Sequence, residues 1–191
     1  MRSRMGQFRA QEIDGQKYIV GYFAVFNSVY QITPKISESI DPGAFDGQTE
    51  EDIRALINHD DTLVLGRTKA GTLELKITEK GLWGKILINE NDQDALNLYA
   101  RVQRGDVDQC SFGFEILEEQ EQIREDGGTH WLIKKVQLFE VSCCTFPAYE
   151  DTSIEARKRQ TQIQTRARET EAWKKRMKER IQSGIKTAIA G

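Results

Sequence analysis

The sequence is poor in the residues that cross-link a fold or bind metals. It has three cysteines, two histidines and three prolines in 191 residues. Cys143 and Cys144 are adjacent, so in a strand they point to opposite faces, which argues against a disulfide framework. The two histidines lie 71 positions apart and no CxxC pair occurs, which leaves too few spaced ligands for a metal. We therefore expect neither a metal nor another cofactor.

Long hydrophobic runs are also missing. No apolar run approaches the ~18 residues of a membrane-spanning helix, and the N-terminal "MRSRMGQFRAQEIDGQ" lacks the apolar middle of a signal peptide. The sequence thus favours a cytosolic protein with no membrane partner. With 38% hydrophobic residues, the chain can bury one core and leave an accessory segment.

The net charge of -3 is unevenly distributed. Residues 155–191 carry eleven Lys and Arg against four Glu, a net of +7, which leaves -10 for residues 1–154. We predict a domain over 1–154, for which nucleic acid is an unfavourable partner, and a basic tail over 155–191.

An apolar stripe at helical spacing makes the tail a predicted amphipathic helix: Ile163, Ala167, Thr170, Trp173, Met177, Ile181 and Ile185. Charge alone does not choose between packing on another helix, an oligomerisation or scaffold-binding arm, and a weak nucleic-acid contact.

From "QKYIVGYFAVFN" onward, most segments are typical of short strands. "GTLELKITEKGLWGKILIN" predicts a hairpin, and "EEQEQIREDGGTH" a charged connection with a hairpin tip before the last strand, "WLIKKVQLFEVSCCTFPAYED". One helix is predicted at "NDQDALNLYARVQRGD", capped by Asn91 or Asp92 and ended by Gly105. The pattern indicates a mostly β, α+β fold: an antiparallel barrel or sandwich with one or two helices.

The stretch "DQCSFGFEIL" contains two possible nucleophiles. Strand alternation groups Cys110 with the phenylalanines of the core, and Ser111 with Gly113 on the other face. A glycine inside a strand often marks a bulge or a close backbone, so a substrate strand could lie at Gly113. Ser111 is an ordinary surface serine unless a base activates it.

Two histidines could supply that base. His59 closes "DIRALINHDD", where alternation places it on one face with Ala55 and Ile57, at the junction of a buried strand and a polar loop. His130 follows two glycines at the predicted hairpin tip, where we expect it to be solvated. A purely structural role is the alternative for each.

Glu140 is the single carboxylate in the apolar run "VQLFEVSCCTF". Burying an unpaired carboxylate costs several kcal/mol, so Glu140 needs a partner. The partner is either a histidine that activates Ser111 or an arginine or lysine. The three positions are distant in sequence, so spacing does not join them.

Four segments together resemble the tailed-phage prohead proteases, capsid-maturation serine proteases related in fold to the herpesvirus assemblins. They are "ESIDPGAFD", "ALINHDD" followed by "LGRT", "SFGFEI" and "FEVSCCTFPAYEDTSI", and the resemblance covers roughly residues 16–155. In that family the histidine of the "NH" motif is the base and the serine of "SxGF" the nucleophile, which match His59 and Ser111. Assemblins have a second histidine in a strand like "HVALC"; "EVSCC" takes that place, which makes Glu140 the third member and His130 its rival.

The resemblance implies a closed antiparallel barrel ringed by helices and peptide hydrolysis through an acyl-enzyme. It implies action inside the procapsid, in the host cytoplasm, on scaffold or the scaffolding arm of the major capsid protein and then on the protease itself. A homodimer is also implied. The sequence departs from assemblins at the positions where they place oxyanion-hole arginines, because "PAYED" stands there and no arginine follows Glu140 until Arg157.

Two other functions remain. The barrel could be a non-catalytic platform for capsid assembly, with the basic helix as its binding arm. An esterase on an unrelated fold is disfavoured, since the Gly-x-Ser-x-Gly pattern is absent around Ser111.

Overall fold

One long strand, β10 (Thr129–Cys144), organises the region that carries the predicted site. A computed structural model describes residues 8–146 and 172–178. The chain divides into two units, Met1–Ala148 and Tyr149–Gly191. The predicted domain boundary between residues 154 and 155 lies outside the described residues.

The strands of the first unit form two sheets. The four-stranded sheet has the order β1-β2-β8-β7, all antiparallel, and consists of β1 (Phe8–Ile13), β2 (Gln16–Val25), β7 (Leu73–Ile77) and β8 (Gly81–Leu87). The six-stranded sheet consists of β3 (Tyr30–Thr33), β4 (Ile36–Ile40), β5 (Arg54–Ile57), β6 (Asp60–Arg67), β9 (Gln109–Ile123) and β10.

In the six-stranded sheet, β10 pairs along one side with β9, antiparallel. Along its other side it pairs in parallel, first with β4 and then with β5. The mostly β, α+β class is therefore confirmed, with most pairs antiparallel. The closed barrel is not: within the described residues neither sheet closes on itself. Because β10 exchanges β4 for β5 along one side, β3 and β6 are outer strands there, and β9 is the outer strand along the other side.

The predicted helix is α1 (Gln93–Arg104). Asp92 caps it by accepting hydrogen bonds from the backbone N–H groups of Asp94 and Ala95, and Gly105 ends it with φ 85°. Its buried face includes Leu98 and Val102, as the periodicity predicts. The helix leads directly into β9, the strand that carries Ser111.

The core lies beneath the β9 and β10 ladder. Phe45, from the "ESIDPGAFD" segment, is fully buried and its ring meets that of Phe112 edge-on at 5.5 Å. Cys110 is fully buried on the same face, as predicted, and its thiol donates to the Tyr22 carbonyl oxygen at 2.9 Å. The two neighbours of Ser111 in β9, Cys110 and Phe112, thus pack against the core and fix the position of this strand.

In the second unit, residues 172–178 form a helix, α2. Trp173 is 55% exposed and Met177 is half-buried, while the other members of the predicted apolar stripe lie outside the described residues. No helix in the described ranges has the length and apolar character needed to cross a membrane.

Candidate active site

The β9 and β10 ladder places four of the relevant residues on one face. Ser111 lies directly opposite Ser142, and Gly113 lies opposite Glu140. Residues opposite each other in an antiparallel pair share a face, with Cβ atoms about 5 Å apart. Irregular register between Leu138 and Glu140 lets Leu138 and Val141 both face the core while Glu140 faces the site.

His59 reaches this face through a tight turn. β5 ends at Ile57, which pairs with Asp60, so Asn58 and His59 are the two central residues of a hairpin. Both have positive φ, 51° and 61°, as the type I′ turn favoured in two-residue hairpins requires. The alternation that predicted a common face for Ala55, Ile57 and His59 therefore stops at Ile57, although His59 does lie at the end of a buried strand.

Hydrogen bonds to the β10 segment hold this turn. The Asn58 N–H donates to the Cys143 carbonyl at 3.0 Å, and Asn58 Oδ1 accepts from the Thr145 N–H at 2.9 Å. The His59 N–H donates to Ser142 Oγ at 3.1 Å. A left-handed histidine is strained, and such strain persists only where its surroundings fix it.

The imidazole and the buried carboxylate are in direct contact. His59 Nδ1 lies 2.7 Å from Glu140 Oε1, and Ser142 Oγ donates to Glu140 Oε2 at 2.6 Å. The Glu140 side chain is only 12% exposed and that of His59 is 24% exposed. Among the described residues, no arginine or lysine forms an ion pair with Glu140. Of the two kinds of partner expected for Glu140, the structure therefore has the histidine.

The other imidazole nitrogen is unoccupied by any hydrogen bond. His59 Nε2 is buried and has no hydrogen-bond partner among the described residues. Ser111, 8% exposed, lies on β9 directly opposite Ser142, and it has no hydrogen bond to His59 or Glu140 among the described residues. Such contacts are often long in enzymes without substrate and shorten when substrate binds.

Gly113 makes room for the carboxylate. A Cβ at this position would lie 2.5 Å from Glu140 Oε1 and 3.1 Å from Glu140 Cγ. The Glu140 side chain therefore occupies the space directly over Gly113, and a substrate strand near this glycine stays a prediction. The glycine allows the carboxylate to lie across β9 towards His59.

The neighbours of His59 change its proton affinity. The Cys144 side chain and the Glu140 carboxylate raise the pKa of His59 above its usual value, and partial burial opposes them. The raised pKa favours the imidazolium, the form that a general base adopts after accepting a proton.

His130 is in a different environment from the predicted solvated tip. It lies within β10, between β4 and β9, and both ring nitrogens contact serine hydroxyls: Nδ1 to Ser37 at 3.0 Å and Nε2 to Ser39 at 2.9 Å. Ten residues separate it from Glu140, about 30 Å along an extended strand. Burial and then Arg124 lower its pKa.

Two contributors were missed from sequence. Ser142 follows Glu140 by two residues, so strand alternation could have placed its hydroxyl beside the carboxylate. Asn58 precedes His59, and asparagine in a short loop between strands is a turn signal. No cluster of three or more metal-ligating side chains occurs among the described residues.

Similar proteins identify the family of this chain. The sequence matches the caudovirus prohead serine protease family over residues 6–167. It is 32% identical over 166 residues to the prohead protease of Enterobacteria phage HK97, an alignment that covers 84% of this chain and 68% of that protein. No solved structure matches. These two matches show that the chain belongs to the caudovirus prohead serine protease family.

Proposed function

We propose that this chain is a maturation endopeptidase of the phage prohead in which Ser111 is the nucleophile, His59 the general base and Glu140 the residue that orients the base. The family assignment supports peptide hydrolysis by a serine enzyme. The observation that supports the residue assignment is the 2.7 Å contact between His59 Nδ1 and Glu140 Oε1, while Nε2 has no hydrogen-bond partner among the described residues. A base needs this arrangement, with one nitrogen held and the other available.

In the proposed reaction the Ser111 Oγ attacks the scissile carbonyl carbon while its proton passes to His59 Nε2. The resulting imidazolium is stabilised by Glu140, which also holds the tautomer that keeps Nε2 free to accept the proton. His59 then gives the proton to the leaving amine as the peptide C–N bond breaks, which leaves an acyl-enzyme. Water, deprotonated by His59, hydrolyses the ester and returns Ser111.

The proposed substrates are the proteins packed with the enzyme: scaffold, or the scaffolding arm of the major capsid protein, and the enzyme itself. The word "prohead" in the names of the family and of the HK97 relative supports this location. Action in the procapsid interior, within the host cytoplasm, and a homodimeric enzyme are parts of the same proposal.

The basic tail is proposed to be an arm that binds scaffold or inner shell and is later removed by self-cleavage. The described part, 172–178, exposes Lys174, Lys175, Arg176 and Lys178. Mass spectrometry of assembled particles tests this proposal, since an intact tail in mature capsids contradicts it.

The residue assignment is tested by intact-mass analysis after incubation with the cognate capsid and scaffold proteins. Wild type is expected to produce discrete fragments, while Ser111→Ala and Glu140→Gln leave the substrates intact. His130→Ala is the control and is expected to cleave. Equal fragments with Ser111→Ala would remove the proposed mechanism and favour the non-catalytic assembly module.

A further inference from the structure

Ser142 connects the Glu140 carboxylate with the turn that carries His59. It is fully buried, on β10, two residues beyond Glu140. Its hydroxyl donates to Glu140 Oε2 at 2.6 Å and accepts from the backbone N–H of His59 at 3.1 Å. A single hydroxyl therefore bonds both the carboxylate and the main chain that carries the imidazole.

These two bonds restrict different motions. Glu140 uses Oε1 for His59 and Oε2 for Ser142, so the carboxylate cannot rotate about its last bond without losing one of them. The bond to the His59 N–H holds a residue whose φ is 61°, in the left-handed region that non-glycine residues rarely adopt. Groups held by such secondary hydrogen bonds keep the geometry that catalysis needs.

We infer that Ser142 is a positioning residue that fixes the Glu140 carboxylate against the imidazole of His59. The inference rests on the proposed function, because it assigns Ser142 to the same site. Ser142 does not replace Ser111 as nucleophile in this scheme, since its hydroxyl proton is directed at Glu140 Oε2 and its own oxygen accepts the His59 N–H.

The inference predicts the proton affinity of His59. The titratable groups that act on His59 are Cys144 and Glu140, both on β10, and both raise its pKa. Loss of the Ser142 hydroxyl releases one carboxylate oxygen, which weakens the contact between Glu140 and the imidazole. The pKa of His59 should therefore fall in Ser142→Ala, because a carboxylate held less closely against the imidazole favours the imidazolium less.

The test is an NMR titration of the histidine side chains in protein labelled with ¹⁵N-histidine. The chain has only two histidines, so a His130→Gln variant assigns both. All samples carry Ser111→Ala, which prevents self-cleavage and makes the readout independent of activity. Ser39→Ala is the matched control, since Ser39 is also a buried serine bonded to a histidine, His130 Nε2 at 2.9 Å.

The expected result is a lower pKa of His59 in Ser142→Ala and an unchanged value in Ser39→Ala. An unchanged or raised His59 pKa in folded Ser142→Ala overturns the inference, because it shows that the carboxylate keeps its place against the imidazole without the Ser142 hydroxyl. Thermal unfolding identifies a variant that has lost its fold. Ser142→Cys then takes its place, because it keeps a side chain of similar shape with a weaker donor, and an unchanged value there overturns the inference as well.

Activity measurements separate this inference from the proposed function. With the cognate capsid protein as substrate, Ser142→Ala should lower kcat about 10- to 100-fold with little change in KM, because Ser142 orients the base and does not bind substrate. It should also move the acidic limb of the kcat/KM profile to lower pH. An inactive wild type contradicts only the proposed function. An active wild type with an unaltered pH profile in Ser142→Ala contradicts only the role of Ser142.

Discussion

The two histidines of this chain differ in what their ring nitrogens contact. His59 and His130 are both partly buried; His59 lies beside β10 and His130 lies within it. His59 has Nδ1 on a carboxylate and Nε2 without a hydrogen bond among the described residues, whereas His130 has a serine hydroxyl on each nitrogen. Their pKa values are displaced in opposite directions, upward for His59 and downward for His130. Burial alone therefore does not identify a catalytic histidine; the charge and number of its partners do.

Replacement of each histidine by glutamine is expected to give the largest contrast. His59→Gln should reduce kcat/KM by about 10³-fold or more, because the proton acceptor for Ser111 is lost. His130→Gln should remain within about threefold of wild type, since His130 is about 30 Å from Glu140 along β10. Rates of capsid-protein cleavage measured side by side check this prediction, and comparable losses in two folded variants would contradict it.

Crowding of the carboxylate should weaken the His59 site without removing any of its members. Gly113→Ala places a Cβ within 2.5 Å of Glu140 Oε1, so the side chain has to move away from His59. We expect a 10- to 100-fold loss of kcat, about the effect of a small misplacement of a catalytic group. Gly43→Ala is the control, because its Cβ would meet only Asp41 Oδ1 and Asp46 Oδ2, both at 3.4 Å. Full activity in Gly113→Ala would show that the close packing of Glu140 on β9 is unimportant.

The raised pKa of His59 predicts an alkaline pH profile. The base must be neutral to accept a proton, so kcat/KM should rise with pH and level off only above the usual histidine value of about 6.5. His130→Gln should leave this rise unchanged. A wild-type rise centred below pH 6.5 would contradict the assignment of His59 as a base paired with Glu140.

Sequence reasoning was most accurate where the physics is local. The cap and end of α1, the β7 and β8 hairpin and the buried position of Cys110 follow from spacings of a few residues, and the structure confirms them. The need of Glu140 for a partner follows from the cost of burying a lone carboxylate. The contact with His59 at the end of β5 could be proposed for the same reason.

Features that depend on distant pairing were not predictable in the same way. The charged segment before the hairpin tip was predicted as a connection, but β9 continues to Ile123 because β10 extends alongside it. His130 was expected in solvent because local sequence does not reveal that β4 pairs in parallel with β10 and brings Ser37 and Ser39 to the imidazole. The open sheets in place of a closed barrel have the same origin, since β10 exchanges β4 for β5 along one side.

The smallest expected effect is on the pH dependence of folding stability, and it has opposite signs for the two histidines. The pKa of His130 is lowered in the folded state, so below about pH 6.5 the unfolded chain binds a proton that the folded chain does not. The contribution of His130 to stability therefore declines as the pH falls from 6.5 through its folded pKa. Arg124 opposes its protonation, Glu38 favours it, and the Ser37 and Ser39 hydroxyls are neutral.

For His59 the raised folded pKa makes its contribution fully present below about pH 6.5 and lost as the pH rises through the folded value. Free energies of unfolding by urea, measured in the Ser111→Ala background, test both signs. The difference between parent and His130→Gln should shrink between pH 7.5 and pH 5, while the difference between parent and His59→Gln should shrink between pH 6 and pH 10. If both differences in unfolding free energy changed with pH in the same direction, the serine hydroxyls around His130 and the carboxylate beside His59 would act on their imidazoles alike. The distinction between a structural and a catalytic histidine in this chain would then be lost.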